Sequence, residues 1–359
     1  MTVIHVIEPF ASGVTTAIIN ITRYIPEADH IVVHGSRMWV DSIENVRAKF
    51  PAAVRFISWA HAGREIAPIS DFRALLNLVG ILRPYRHSAV VHLHSSKAGF
   101  IGRVACRILG IKRIIYTPHC AAFIRTDISE KKQRFYRSLE KTAGKLGGLV
   151  VGCGETEAKL YEELGLNSRC VSNGVEPGPP SKTAKKIKKN KIVVFVGIAN
   201  EQKNPEMFTS IASAFQDDKS VRFLWVGDGP LRADLNEEMM EVTGWKQKDE
   251  VIGYLEHSLN YLSTSGWEGL PYGVLEAMKS SCALLLNDVP GNRDLVVEGE
   301  NGFLFDDTEK AIKKLSQMLA DDEACLTMGK NSYRMIEENF NVQNMSGGYR
   351  KIYQSLLES

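Results

Sequence analysis

Residues 261–278 read YLSTSGWEGLPYGVLEAM and pass from a strand pattern through a glycine-rich loop into a helix pattern. The short run Tyr261–Thr264 predicts a strand, and the apolar spacing that follows Gly273 predicts a helix with one buried face. A strand that leads directly into a helix is the repeating unit of parallel sheets covered by helices. The stretch therefore indicates an α/β fold, and the same unit recurs along the rest of the chain.

Short runs rich in β-branched residues alternate with amphipathic stretches in both halves of the chain. The predicted strands are Val3–Ile7, His30–His34, Val54–Trp59, Ala89–His94, Arg113–Thr117 and Leu149–Cys153, then Ile192–Gly197, Arg222–Val226, Glu250–Gly253, Tyr261–Thr264 and Ala283–Asn287. Helices are predicted near Val14–Tyr24, Phe72–Leu82, Pro205–Phe215 and Leu231–Val242. This alternation predicts two doubly wound, Rossmann-like sheets of parallel strands.

A segment without periodicity separates the two halves. Residues 177–190 read PGPPSKTAKKIKKN, a proline- and lysine-rich composition that is typical of a surface linker. The length of 359 residues also favours two domains. We therefore expect domains at 1–176 and 191–340, with residues 341–359 forming a helix that packs back on the first domain.

The composition is that of an ordinary globular protein, with 44% hydrophobic and 24% charged residues, which excludes a disordered chain. No stretch approaches the ~18 uninterrupted apolar residues that a membrane-spanning helix needs. The 6 cysteines form no CxxC pair, which favours reduced thiols in the cytoplasm. Residues 1–150 hold 21 Lys and Arg against 10 Asp and Glu, whereas residues 182–359 hold 21 against 27. The basic first half is expected to face an anionic partner or surface.

Two carboxylates, Glu268 and Glu276, flank the turn into the helix of the opening stretch. The glycines and Pro271 between them aim the start of the helix, with its unpaired backbone N–H groups, at a ligand. Such a helix start suits a diphosphate, and carboxylates beside it can accept hydrogen bonds from the hydroxyls of a ribose and a sugar. The alternative is a capped surface helix with solvated glutamates.

The segment EGLPYGVLEAM resembles the E-x7-E motif of glycosyltransferase family 4, the retaining, nucleotide-sugar-dependent enzymes of the GT-B fold. Further segments resemble the family's motifs in the same order: Gly13, His94–Gly99, Gly102–Arg103, Tyr116–His119, Asn173–Val175, Gly197–Pro205, Phe223–Leu231, Val289–Leu295 and Gly299–Phe303. The resemblance spans essentially the whole chain. It implies two doubly wound domains that face each other across a cleft, the first holding an acceptor and the second a nucleotide-sugar.

The resemblance also implies roles for particular residues. His119 would contact the donor sugar and Glu268 would accept a hydrogen bond from one of its hydroxyls, and these two are the predicted catalytic residues. Glu276 would hold the ribose, and Lys203 would neutralise the diphosphate. The full predicted donor-binding set is Gly13, Gly197, Asn200, Lys203, Leu270, Pro271, Tyr272, Gly273 and Glu276.

These roles fit the chemistry of glycosyl transfer. Breaking a sugar–phosphate bond leaves negative charge on the diphosphate, which a lysine and helix N–H groups stabilise. In the family, the incoming hydroxyl is thought to attack on the leaving group's own face while a phosphate oxygen takes its proton. No protein base is then required, so Glu268 and Glu276 are not a glycosidase acid and nucleophile.

The chain departs from the family at one expected cation. The family has arginine directly after the glycine that Gly197 matches, and this chain has Ile198. Lys97 and Arg103 are predicted on the acceptor or phosphate side. We expect one of them to supply the missing positive charge together with Lys203; otherwise we expect a weak activity. Asn200 would contribute a neutral hydrogen-bond donor.

Metal chemistry is not expected. The sequence has no Asp-x-Asp pair of the kind that holds a divalent ion in GT-A transferases. His92 and His94 alternate on a predicted strand and point the same way, but a metal site needs more ligands. We interpret them as a packed or site-lining pair, and we expect neither a metal nor another cofactor.

Residues 129–146, SEKKQRFYRSLEKTAGKL, form a basic amphipathic helix pattern. Such a helix can lie on anionic lipid, although a solvated helix face is the alternative. No aromatic-interleaved basic motif of a nucleic-acid reader is present, so we expect no nucleic-acid partner. The predicted location is cytoplasmic, peripheral at the inner face of the cell membrane.

The sequence thus predicts a retaining, metal-independent hexosyl- or N-acetylhexosaminyltransferase. It would move a sugar from a nucleotide-sugar, with UDP favoured, to a hydroxyl of an acceptor saccharide in bacterial polysaccharide or glycan assembly. The acceptor is expected to be lipid-linked, for example through polyprenyl diphosphate. Two alternatives stay open: a nucleotide-sugar 2-epimerase, and a non-catalytic donor-binding subunit of a two-protein transferase, which Ile198 motivates.

Overall fold

A computed structural model describes residues 1–8, 10, 12–35, 43–63, 67–178 and 189–358. The chain forms two compact units. The N-terminal unit comprises Met1–Ile124, Ile128–Asn173 and Val342–Ser359, and the C-terminal unit comprises Arg125–Asp127 and Gly174–Asn341. Most of the predicted linker, residues 179–188, lies outside the described residues.

The N-terminal unit is built on a parallel sheet that has seven strands within the described residues. They are β1 Thr2–Ile7, β2 Asp29–His34, β3 Arg55–Ser58, β4 Ala89–His94, β5 Ile114–Thr117, β6 Leu149–Gly152 and β7 Ser168–Cys170. The helices are α1 Ser12–Tyr24, α2 Ile43–Arg47, α3 Pro68–Leu82, α4 Ser96–Leu109, α5 Glu130–Gly144 and α6 Glu155–Glu163. The strand order β3-β2-β1-β4-β5-β6-β7 reverses its direction of winding between β1 and β4.

The two faces of this sheet bury different kinds of side chain. Ile4 and Val6 of β1 join an apolar core that α3 and α4 cover. Because side chains alternate along a strand, His5 lies on the opposite face. His30 of β2 and His94 of β4 lie on that face too, hydrogen-bonded to His5. All three rings are buried, so their hydrogen bonds must be made inside the protein.

The C-terminal unit repeats this topology with a parallel sheet of six strands within the described residues. They are β8 Asn190–Val196, β9 Arg222–Val226, β10 Glu241–Val242, β11 Ser258–Ser263, β12 Ala283–Asn287 and β13 Gly302–Phe305. The helices are α7 Pro205–Ser213, α8 Lys248–His257, α9 Tyr272–Lys279, α10 Thr308–Ala320 and α11 Asp322–Glu338. The order β10-β9-β8-β11-β12-β13 reverses between β8 and β11. The predicted α/β class with two doubly wound sheets is confirmed.

The predicted strand Glu250–Gly253 is wrong, because these residues lie inside α8. The Glu250 carboxylate accepts a hydrogen bond from the backbone N–H of Gln247 at 3.0 Å. This bond satisfies the backbone N–H of the N-cap residue and so favours the start of a helix at this point. The helix forms here although the apolar residues that follow also suit a strand.

The predicted helix Leu231–Val242 is also wrong. The segment makes a 3-10 turn at Arg232–Asp234 and then reaches β10. The side-chain oxygen of Asn236 accepts a hydrogen bond from the backbone N–H of Glu238 at 3.0 Å. Such a local turn competes with the hydrogen bonds of a helix and ends it.

The last helix, α12 Val342–Glu358, belongs to the N-terminal unit. The Tyr353 hydroxyl lies 2.8 Å from Nδ1 of His92, and the Arg350 guanidinium donates to the backbone oxygen of Tyr24 at 2.9 Å. The helix therefore covers the histidine-bearing face of the first sheet beside α1. Within the described residues, none of the helices combines the length and apolar character needed to span a membrane.

Candidate active site

The carboxyl ends of β8 and β11 bring together two residues that the sequence predicts for the site. The Lys203 ammonium, in the loop after β8, forms an ion pair with the Glu268 carboxylate, in the loop after β11. Both side chains are largely buried, with exposed fractions of 19% and 7%. The pair lies where the winding of the sheet reverses, which is the place where doubly wound sheets bind ligands.

Hydrogen bonds tie the two loops to each other. The side-chain amide of Gln202 donates to the backbone oxygen of Trp267 at 2.8 Å, and the backbone N–H of Gly266 donates to the backbone oxygen of Gln202 at 2.8 Å. The Thr264 hydroxyl donates to the backbone oxygen of Lys203 at 2.7 Å. The ion pair is therefore held by a rigid frame. Gln202 is a residue that the sequence analysis missed.

The start of α9 carries the predicted residues Leu270–Gly273, and it packs closely on the strands beneath. A Cβ atom on Gly273 would lie 3.0 Å from the Tyr261 hydroxyl oxygen. Gly291 has a φ of +82°, and a Cβ atom there would lie 2.2 Å from the backbone oxygen of Gly269. The N-cap residue, Pro271, offers no side-chain acceptor to the first N–H groups. The positive end of the helix dipole thus lies at the end of the loop that carries Glu268.

Glu276 lies one turn further along α9 and is half-buried, with 21% of its side chain exposed. Burial raises the pKa of its carboxyl above the usual range, and the positive charges of Lys248 and Lys279 partly offset this. The Lys248 ammonium lies 3.9 Å away. A carboxyl in this environment gains from hydrogen bonds donated by neutral hydroxyls, as a ribose would supply.

The loop Gly197–Asn200 follows β8 beside the pair. The Gly197 backbone oxygen accepts from the Trp225 indole at 3.1 Å, and the side-chain oxygen of Asn200 accepts from the backbone N–H of Lys203 at 3.1 Å. Asn200 therefore helps to position Lys203. Ile198 is 37% exposed and adds an apolar surface where the family has a cation.

In the N-terminal unit, His119 follows β5 in a strained backbone segment. His119 has a φ of 55° and Cys120 a φ of 105°, which are unusual values for residues with a side chain. The Glu157 carboxylate holds this segment, because it accepts hydrogen bonds from the backbone N–H of Cys120 at 2.7 Å and of Cys153 at 2.9 Å. Burial lowers the pKa of His119 to about 3, so the ring is neutral. Strain that is held in this way is typical of functional sites.

The predicted acceptor-side cations have different surroundings. The Lys97 ammonium pairs with Asp71 at 2.6 Å and is 12% exposed. Arg103 is fully buried, stacks on Tyr116 and lies 3.7 Å from the Glu140 carboxylate. This placement corrects the expected role of Arg103: the guanidinium lies in the core of its unit, where it cannot reach an acceptor or a phosphate.

Gly13, the predicted glycine beside the donor phosphates, lies in the first turn of α1 after β1. The neighbouring Glu8 carboxylate accepts a hydrogen bond from the backbone N–H of Ala98. Glu8 therefore occupies the start of α4, at the point where the winding of the first sheet reverses.

His5, His92 and His94 are close enough to be tested as a metal site, since their nearest ring nitrogens lie within 4.8 Å of one another. Each ring nitrogen of His92 and of His94 already has a hydrogen-bond partner. The His92 and His94 rings pack 3.9 Å apart, as their alternation on one strand predicts. Their polar groups are satisfied without an ion.

The comparisons with known proteins agree with this architecture. Residues 11–178 match the family described as Glycosyltransferase Family 4, and residues 180–335 match Glycosyl transferases group 1. The UDP-Gal:alpha-D-GlcNAc-diphosphoundecaprenol alpha-1,3-galactosyltransferase of Escherichia coli is 28% identical over 323 residues, which is 82% of each chain.

Two solved structures show the same fold. Sucrose-phosphate synthase from Thermosynechococcus elongatus superposes with a TM-score of 0.81 at 16% identity, covering 100% of this chain and 99% of the other. Anabaena HepE in complex with UDP-glucose superposes with a TM-score of 0.75 at 16% identity, covering 100% of both chains.

The fold and these matches define a glycosyltransferase of the GT-B type. The chain is a family 4-like member of this class, with a Family 4 domain followed by a group 1 domain. The predicted enzyme class is confirmed. The epimerase and the non-catalytic subunit are not favoured, because the named relatives are transferases.

Proposed function

We propose that the protein transfers a sugar from a UDP-sugar to a hydroxyl of a lipid-linked saccharide, with retention of the anomeric configuration. The observation that carries the proposal is the Lys203–Glu268 pair at the winding reversal of the second sheet, next to the start of α9. Lys203 supplies positive charge for the departing diphosphate, and Glu268 accepts a hydrogen bond from a sugar hydroxyl. His119 contacts the same sugar, and Glu276 accepts from the ribose.

The choice of substrates rests on the relatives. The Escherichia coli relative is named for UDP-Gal and for a GlcNAc-diphosphoundecaprenol acceptor, and the HepE structure contains UDP-glucose. We propose the same donor class and acceptor chemistry for this chain. Transfer needs no metal in this proposal, because Lys203 and the helix start neutralise the diphosphate.

A transfer assay tests the proposal. The protein is incubated with UDP-galactose, UDP-glucose or UDP-N-acetylglucosamine and a synthetic GlcNAc-diphosphate-lipid, with EDTA present. We expect one donor to give a disaccharide whose new bond keeps the donor's α configuration, as read by the proton coupling constant of the anomeric centre. A product of inverted configuration contradicts the retaining mechanism. An epimer formed without acceptor would instead support the epimerase.

We also propose that α5 and the exposed side of α3 contact an anionic membrane, which would bring the enzyme to its acceptor. The basic residues of α5 are exposed, and so is Phe135 among them, with 55% of its surface accessible. On α3, Ile69, Phe72 and Leu76 lie three and four positions apart and are 75%, 61% and 56% exposed. Cations beside exposed apolar side chains are what an interfacial helix presents to lipid.

Vesicle flotation tests this contact. Each basic residue contributes about 1 kcal/mol at an anionic surface, so reversing Lys131, Lys141 and Lys145 to Glu should weaken binding to phosphatidylserine vesicles by about 100-fold or more. The control reverses three exposed lysines of the C-terminal unit instead: Lys219, Lys313 and Lys330. Equal losses in both variants would show general electrostatics and contradict a specific face.

A further inference from the structure

Three buried histidines and the partly buried His119 form one continuous chain of hydrogen bonds across the first sheet. Nε2 of His30 lies 3.0 Å from the backbone oxygen of Ile25, and Nδ1 of His30 lies 3.1 Å from Nε2 of His5. Nδ1 of His5 lies 3.1 Å from Nε2 of His94, and Nδ1 of His94 lies 2.9 Å from Nε2 of His119. The rings come from β2, β1 and β4 and from the segment after β5, so the chain runs from strand to neighbouring strand toward the carboxyl ends.

The backbone carbonyl of Ile25, at the His30 end of the chain of hydrogen bonds, determines which nitrogen of each ring carries the hydrogen. A carbonyl oxygen only accepts, so His30 must carry its hydrogen on Nε2, and its Nδ1 becomes an acceptor. His5 must then donate from its Nε2 to that acceptor, which leaves its Nδ1 as an acceptor for Nε2 of His94. In the same way Nδ1 of His94 becomes the acceptor for Nε2 of His119. All four rings are therefore Nε2–H tautomers, provided that each ring is neutral.

The rings are neutral because the protein shields them wholly or partly from water. Desolvation lowers the pKa of His5 and of His94 well below the usual value, that of His119 to about 3, and that of His30 to a smaller extent. A neutral imidazole has one donor and one acceptor nitrogen, and each ring of the chain uses one of each.

At the other end, the chain leaves Nδ1 of His119 as an unprotonated nitrogen. None of the described residues of the protein forms a hydrogen bond with this nitrogen. We infer that His94, His5 and His30 are positioning residues, which fix His119 in the Nε2–H tautomer so that its Nδ1 accepts a hydrogen bond from a hydroxyl of the donor sugar. This inference rests on the proposed function for the contact with the sugar, whereas the tautomer itself follows from the hydrogen bonds.

The chain orients His119 and does not conduct protons through the domain. A proton that entered at Nδ1 of His119 could pass along the rings only if His30 released one at its Nε2. The atom that faces this nitrogen is the backbone oxygen of Ile25, which does not take up a proton at neutral pH. The strained segment held by Glu157 fixes the backbone of His119, and the chain fixes the hydrogen on its ring.

Nitrogen NMR of the full chain labelled with 15N-histidine tests the inference without any substrate. We expect His5, His30, His94 and His119 to show a protonated Nε2 and an unprotonated Nδ1. Two other histidines give the opposite reference signal, because Nδ1 of His34 faces the Gly35 oxygen at 2.9 Å and Nδ1 of His257 faces the Gly253 oxygen at 2.7 Å. A protonated Nδ1 on His119 overturns the inference.

Two substitutions at His94 separate orientation from packing. In His94→Gln the side-chain oxygen can still accept from His119 and the amide can still donate to His5, so His119 should remain an Nε2–H tautomer. In His94→Phe the acceptor is lost, and His119 should become a mixture of tautomers. If the Phe variant does not fold, His30→Phe breaks the chain at its far end and should give the same direction of change. An unchanged His119 spectrum in a folded Phe variant overturns the inference.

Kinetics connects the tautomer to the reaction. We expect His94→Phe to lower kcat of transfer by about 10- to 100-fold, the size of the effect when a metal-ligating histidine loses its orienting partner, and His94→Gln to restore most of it. His92→Gln is the matched control, because His92 lies on the same strand and is equally buried but bonds to Tyr353 and Thr117, outside the chain. If neither the wild-type protein nor any variant turns over a donor, the proposed function is contradicted. The NMR experiment still tests the tautomer of His119, because it uses no substrate.

Discussion

Replacing Lys203 with methionine should weaken UDP binding strongly, whereas replacing Glu268 with glutamine should not. Lys203 is 19% exposed and bonded to Glu268, so its charge is oriented before a ligand arrives. UDP carries the diphosphate but no sugar, and it therefore reports on Lys203 without involving the sugar contact proposed for Glu268. Glu268→Gln removes the negative charge that competes for Lys203, so the affinity for UDP should stay equal or rise.

The size of the effect follows from the interaction that is lost. A hydrogen bond between a charged donor and a phosphate oxygen contributes about 1.5–3 kcal/mol. Because each 1.4 kcal/mol changes a dissociation constant tenfold, Lys203→Met should raise Kd for UDP by about 10- to 150-fold. Among the described residues, removing Lys203 leaves Gln202, at 3.4 Å, as the remaining side-chain partner of the buried Glu268 carboxylate, so the variant should lose about 1–3 kcal/mol of stability.

Isothermal titration calorimetry with UDP measures both variants, and differential scanning calorimetry shows the temperature range in which they are folded. Lys191→Met is the matched control, because Lys191 belongs to the same sheet but bonds to the Leu319 oxygen and Asp322 near the opposite end of β8. Its Kd for UDP should change less than about twofold. A folded Lys203→Met variant that binds UDP with unchanged affinity refutes the assignment of Lys203 to the diphosphate.

Three further outcomes are expected. Gly291→Ala should weaken UDP binding, and because the added methyl group would clash with the Gly269 backbone oxygen, it should destabilise the protein by more than the cost of a left-handed backbone, about 1–2 kcal/mol. Gly299→Ala is the control, because Gly299 has a φ of +77° but open space around it. In a denaturant titration this variant should lose only about that cost, and it should keep its affinity for UDP. Glu157→Gln should lower kcat of transfer and leave the UDP affinity intact, since it loosens the segment of His119 and the backbone at Cys153, both in the N-terminal unit, and leaves Lys203 untouched; an unchanged kcat would contradict this. Burial lowers the pKa of His92 well below its usual value and that of His119 to about 3, so below pH ~6.5 the unfolded chain takes up protons that these rings refuse in the folded protein. Stability should therefore fall as the pH falls, by up to about 1.4 kcal/mol per pH unit for each such ring. His92→Gln should reduce the slope of stability against pH, measured by urea titration between pH 6 and 4, by up to that amount.

Most of the fold could be predicted because its strands are short runs of β-branched residues between helical stretches. β4 and β12 begin and end where the sequence predicts. The errors arose where a single side-chain hydrogen bond decides the local structure, as Glu250 does for α8 and Asn236 does for the turn before β10. An apolar pattern carries no information about such a bond.

The candidate site could be predicted in part. Lys203 and Glu268 belong to recognisable motifs, and the structure brings them into contact. Arg103 matched a motif as well, but neighbouring Gly102 and Gly99 let its helix approach the sheet so closely that the guanidinium is buried on Tyr116. The partners of His119 were missed, because they come from three separate strands. The alternation of His5 with buried apolar residues on a central strand was the available signal.

The two sheets have the same winding, yet among the described residues the charges at their two reversal points differ. In the first sheet the Glu8 carboxylate accepts from the backbone N–H of Ala98, so the start of α4 already has an anion of its own. In the second sheet the start of α9 follows Pro271, which has no acceptor, and Lys203 lies on the neighbouring loop. The N-terminal unit contains most of the basic excess of the chain, but a glutamate carboxylate occupies the start of the helix at its reversal point. We therefore expect the local charge at the start of one helix, and not the net charge of a domain, to determine which half binds the donor.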